Sequence, residues 1–143
     1  TLPPMEWNSS KPKDKERRVP RPIVLEVQIN GPPARALLDS GSHGDFVSTI
    51  LVDQLRLKKS RLAKPIGPQM AVSGSKCSIN WCANAQFQYQ GIDEPRTFNV
   101  MNIESYDLIL GTPFLFQFKV TFGLHLPNVL IGSKNHYHYK GVQ

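Results

Sequence analysis

The sequence predicts an all-β domain with two short helices, and three observations carry that prediction. Apolar and polar residues alternate with a period of two along Ile23 to Ile29 and again along Ala83 to Tyr89. Gly, Pro, Asn and Ser clusters punctuate the chain at short intervals, as turns between brief strands do. Helical spacing is confined to two short stretches, after Ser48 and after Thr112.

Taken in order, Ile23, Leu25, Val27 and Ile29 form the apolar side of a first half-buried strand, and Asn30-Gly31-Pro32-Pro33 turns the chain. A second strand, Ala34 to Leu38, runs directly into the polar loop Asp39-Ser40-Gly41. Ser48 or Thr49 can cap a helix through Leu57, with Leu51 and Leu55 on one face. Lys58 to Pro68 reads as a basic loop, and Gln69 to Trp81 as a hairpin with the small-residue tip Ser73-Gly74-Ser75. A long strand over Ala83 to Tyr89 turns at Gly91 to Pro95 and returns as Thr97 to Met101. Asp107 to Gly111 is a buried strand ending in glycine. Thr112 as N-cap and Pro113 at the first helical position then start a helix over Phe114 to Phe118. A hairpin of Val120 to Leu126 and Asn128 to Ile131, around Pro127, completes the series.

The chain has 143 residues, 40% hydrophobic and 20% charged, which suits one compact domain. Expected boundaries are a basic, Pro-rich linker at 1–21, a folded domain at 22–134 and a tail at 135–143. No apolar run approaches the roughly 20 residues of a membrane span, and the first residues lack the apolar core of a secretion signal. No membrane association and an intracellular, cytoplasmic location are therefore expected. The net charge is +6, and half of the excess lies before Pro22 (Lys11, Lys13, Lys15, Arg17, Arg18 and Arg21 against Glu6, Asp14 and Glu16). Such a segment can make weak, salt-sensitive phosphate contacts with nucleic acid. A true nucleic-acid module would need aromatics interleaved with Lys or Arg on a sheet face, whereas Phe87 and Tyr89 alternate with Gln. Cys77 and Cys82 read as ordinary thiols, and His136 and His138 as neighbours on one strand face, so neither a metal nor a cofactor is implied.

Asp-Ser-Gly alone is common in turns. Its setting makes it informative: Ala36-Leu37-Leu38-Asp39-Ser40-Gly41-Ser42 follows a hairpin and is matched later by Leu108-Ile109-Leu110-Gly111. On both motifs the sequence resembles the retropepsin-like aspartic proteases from about Ile23 to Ser133, most of all those of Gypsy-class LTR retrotransposons and the eukaryotic retropepsin-like domains. A Val129-Leu130-Ile131-Gly132 segment near the end adds to the likeness. The resemblance implies a retropepsin-like acid-protease fold with one lobe per chain, active as a homodimer on an extended peptide or polyprotein. It also implies roles. Asp39 is the catalytic carboxylate, Ser40 bonds across the dimer axis, and Gly41 offers its N–H to the carboxylate. Ser42 can place a hydroxyl on the outer carboxylate oxygen, which would favour the charged form. Ser73, Gly74 and Ser75 close over the peptide as a flap, and Leu110 and Gly111 support the Asp-bearing strand. One departure is clear: retroviral members carry Arg after the supporting glycine, and this chain carries Thr112.

The chemistry is consistent with that likeness. Peptide hydrolysis needs a base to activate water and an acid to protonate the carbonyl oxygen, and two adjacent carboxylates sharing one proton supply both. One Asp-Ser-Gly per chain leaves the second carboxylate to a symmetry-related copy. His-Glu-x-x-His, Gly-x-Ser-x-Gly and phosphate-loop motifs are absent. A Ser/His/Asp site using His43 would leave the strand-glycine motif unexplained. The alternative from another class is a retropepsin-like domain that dimerises or binds peptide without cleaving.

Overall fold

A computed structural model describes residues 21–70, 76–125 and 127–133. Eleven elements follow one another along them: β1 (Val24–Ile29), β2 (Pro33–Leu38), β3 (Phe46–Ser48), α1 (Thr49–Leu55), β4 (Lys58–Met70), β5 (Lys76–Tyr89), β6 (Ile92–Met101), β7 (Leu108–Leu110), α2 (Thr112–Gln117), β8 (Thr121–Gly123) and β9 (Asn128–Leu130). The fold is the all-β, retropepsin-like one expected from the sequence. Seven strands form one sheet in the order β1-β2-β7-β3-β6-β5-β4, and a further β1–β5 pairing closes six of them into a barrel with β4 outside.

The alternating strands turn one side inward. Leu25, Val27 and Ile29 of β1 and Ala83, Ala85 and Phe87 of β5 are buried, while Glu26 and Gln28 face out. Phe87, Phe98, Phe114 and Phe118 fill the centre, with Phe87 edge-on to Phe114 at 5.4 Å. The β1–β2 turn holds Asn30 at φ 53° and Gly31 at φ 109°, the left-handed pair that a two-residue hairpin needs.

Three expectations are corrected and one strand is added. Lys58 to Pro68 is not a loop: it lies within β4, antiparallel to β5, with register shifts between Arg61 and Ile66 and between Ile66 and Gln69. An edge strand tolerates the prolines there because one side of its ladder needs no donor. The turn after Tyr89 is only Gln90-Gly91, and residues 92–95 already belong to β6. Residues 46–48, which the sequence reading assigned to no strand, form β3, which is parallel to β6 and antiparallel to β7. The second helix begins one residue early, with Gly111 as N-cap and no side-chain cap, so Thr112 is helical and does not cap it. Ser48, of the two candidates, caps α1: its Oγ accepts from the Leu51 N–H at 3.0 Å.

Candidate active site

Asp39 stands where β2 ends. Leu37 and Leu38 before it are buried, and β7 pairs with β2 in parallel, placing Leu38 beside Leu110. The Asp39 N–H donates to the Leu110 carbonyl at 2.9 Å, so the ladder fixes the aspartate itself as well as its strand. The chain then turns, with the Ser42 N–H donating to the Asp39 carbonyl at 3.1 Å. Gly41 donates its N–H to Asp39 Oδ1 at 2.9 Å, the bond expected from the motif. Asp39 is half-buried while Ser40 and Gly41 are exposed, which leaves this face of the loop open.

Ser42 differs from expectation. Its Oγ donates to the Gly44 carbonyl at 2.8 Å and lies 3.4 Å from the Gly44 N–H, which points back at it. A hydroxyl has one proton, so the bond to Gly44 leaves none for the Asp39 carboxylate. Ser42 shapes the loop rather than touching the acid.

Gly111 sits against the same loop so closely that a Cβ there would collide with the Gly44 carbonyl oxygen and lie 2.6 Å from that of Ser42. The next residue, Thr112, donates its N–H to the Ser42 carbonyl at 2.9 Å. The loop is thus clasped between the end of β7 and the start of α2. Ser73, Gly74 and Ser75 lie outside the described residues. The strands leading to them pair as far as Met70 with Lys76.

Sequence reasoning missed the buried ion pair of the region. Asp45 is 6% exposed and Arg96 9%. Arg96 donates from Nη2 and Nε to Asp45 Oδ2 at 2.6 and 3.2 Å, and from Nη1 to Gln117 Oε1 at 2.7 Å. Asp45 Oδ1 accepts the Gly111 N–H at 2.7 Å. The guanidinium lies 5.4 Å from the Phe114 ring centre and 5.6 Å from that of Phe118. A signal existed: β6 buries Ile92, Arg96, Phe98 and Val100, so Arg96 occupies an inward slot, where a cation demands an acid.

Lys59 and Arg61 of β4 each lie 5.3 Å from the ring centre of Trp81 on β5. Cations and an aromatic therefore do meet on a sheet face, by cross-strand pairing that alternation within one strand could not reveal. His43 is exposed. Cys82 is a free thiol, and His136 and His138 fall outside the described residues. None of the described helices is long and apolar enough to cross a membrane.

Known proteins share this fold. The sequence model of a family described as retroviral aspartyl protease matches residues 10–136. Among solved structures, the retroviral protease-like domain of Ddi1 from Leishmania major superposes with a TM-score of 0.55 at 16% identity, covering 85% of this chain and 96% of that one. EIAV protease, complexed with the inhibitor HBY-793, superposes with a TM-score of 0.57 at 20% identity, covering 73% of this chain and 94% of its own. At these identities the likeness is one of fold. No curated protein sequence matches significantly.

Proposed function

The chain belongs to the retroviral aspartyl protease family, and from that premise we propose that it is an aspartic endopeptidase, active as a homodimer in which two Asp39 carboxylates face each other across a twofold axis. The observation that carries this reading is the seat of Asp39: a carboxylate at an open strand end, held by Leu110 through its own N–H and by Gly41 through Oδ1. One chain contributes one such carboxylate, and a second copy completes the pair.

In the dimer one carboxyl is ionised and the other keeps the shared proton. The ionised one takes a proton from water as the oxygen attacks the peptide carbonyl carbon, and the protonated one gives its proton to the carbonyl oxygen. Collapse of the resulting diol breaks the C–N bond, with a proton passing to the leaving amine. Ser40 hydroxyls bond across the axis beneath the pair. The β8–β9 ribbon suits an interface. Two strands alone are marginal, and this pair exposes Leu124 and Leu130 while Val129 and Ile131 pack on the core.

The finer reading places the enzyme with the Gypsy-class retrotransposon proteases, cutting a retroelement polyprotein in the cytoplasm, with residues 22–134 as the protease domain. The basic segment 1–21 and, separately, the cations Lys58, Lys59, Arg61 and Lys64 of β4 add weak nucleic-acid contact. The test is cleavage of candidate polyprotein junction peptides by wild type and Asp39→Asn. The variant should stay folded and lose activity by about 10²–10⁴-fold or more. A folded Asp39→Asn protein cutting at the wild-type rate would refute the assignment. A wild-type dimer that binds such peptides without cutting them would establish the non-catalytic alternative.

A further inference from the structure

We infer that Arg96 is a positioning residue for Asp39: acting through Asp45, it holds the 39–45 loop in its working shape inside each single protomer. This rests on the endopeptidase reading above and adds a component that the Asp-Ser-Gly motif does not contain.

The chain of contacts is continuous. Asp39 and Asp45 bound one loop, whose inner carbonyls, those of Ser42 and Gly44, lie against the Cα of Gly111. The place of that loop relative to β7 is set from both ends. At one end the Asp39 N–H is bonded to Leu110, and at the other Asp45 Oδ1 takes the Gly111 N–H at 2.7 Å. The second contact depends on the direction of the Asp45 carboxylate, and Arg96 fixes that direction with two donors on Oδ2. Arg96 is in turn held by Gln117 of α2 and by the faces of Phe114 and Phe118. Its partner position across β5 is Ala85, a side chain small enough to leave room for a guanidinium in the barrel wall. The Asp45 main-chain carbonyl also accepts the Asn99 N–H at 3.0 Å, so the loop end is tied to β6 twice.

A bare need for stability does not explain a buried charge pair at this spot. Desolvation offsets much of the attraction, and an apolar pair of similar volume commonly serves as well or better. Geometry does explain it, because a planar fork on one carboxylate oxygen leaves the other oxygen directed at a single N–H. That N–H belongs to the residue following the one that bonds Asp39. A loss of aim at Asp45 is therefore passed to the catalytic carboxylate across one residue of β7.

All the bonds in this brace lie within one chain. The loop is accordingly formed before two protomers meet, and association has only to bring two finished halves together.

The experiment compares wild type with Arg96→Lys and with the double variant Asp45→Asn, Arg96→Met. The double variant leaves no buried charge unpaired and so guards against simple unfolding. Expected are folded dimers with an unchanged dissociation constant, a KM within about twofold of wild type, and a kcat reduced about tenfold or more. Arg96→Lys, which keeps the charge and loses the fork, should fall between them. Amide hydrogen exchange supplies a readout independent of cleavage: exchange at Asp39, Gly111 and Thr112 should quicken in the double variant, while that of β1 and β5 stays as in wild type. A folded double variant with wild-type kcat and wild-type exchange at those three amides would overturn the proposal. If the wild type cleaves nothing, the endopeptidase reading fails on its own, and the exchange comparison decides whether Arg96 positions the loop.

Discussion

Ser42 has a single proton to give, and Gly44 receives it. Ser42→Ala should therefore act on stability, costing about 1 kcal/mol in thermal or denaturant unfolding, and leave the acid limb of the pH–rate profile in place. A displaced acid limb would show that the hydroxyl turns to the carboxylate in the dimer. Gly111→Ala should be far harsher, because the added methyl meets two main-chain carbonyls that cannot rotate away. We expect a loss of about 3 kcal/mol with collapse of cleavage, read by thermal unfolding and peptide assay together. Tyr89 offers a titration: burial raises its phenol above the usual value, and the Gln90 hydrogen bond only partly opposes this. The folded state then holds the proton longer than the unfolded one, so this contribution is present below pH 10 and fades as pH rises beyond it. Tyr89→Phe should flatten stability against pH there. Asp39, Gly41 and Gly111 were legible in sequence because neighbours along the chain define their settings. Arg96 was marked only by alternating with Phe98 and Val100, and nothing named Asp45 as its partner, since only tertiary structure brings residues that far apart together.

Elements were legible in proportion to how regularly they alternate. β1 and β5 announce themselves, whereas β3 is three buried residues with no exposed one to set a period. β4 is an edge strand carrying four cations, two prolines and a glycine, a composition that also describes a loop. Its strand character comes from β5 beside it rather than from its own propensity. The Gln90-Gly91 turn suggests an improvement. Gln90 sits at φ 47°, a left-handed conformation that Asn tolerates better than Gln. Gln90→Asn should raise stability by a few tenths of a kcal/mol, to about 1 at most, measurable as a higher denaturation midpoint with an unchanged slope.

At the scale of the molecule, the proposed two-chain site would make activity a property of concentration. Specific activity should fall on dilution through the dimer dissociation constant, and excess Asp39→Asn chains should poison wild type by forming mixed dimers. Full activity from a species that sediments as a monomer at every concentration would exclude the two-chain site. The fold class was readable from many short strands and turn clusters, yet barrel closure was not, because the β1–β5 pairing joins segments with no mark of each other in sequence, whereas the parallel β2–β7 pairing was implied by the two matched motifs. That parallel pairing also bears on timing. A nascent chain has made Asp39 long before it has made Leu108 to Leu110, and until those residues emerge the aspartate has no seat. Pairs so distant along the chain form late and slowly. Under the endopeptidase reading proposed above, the centre is thereby silent until β7 has left the ribosome, whatever length of chain follows it.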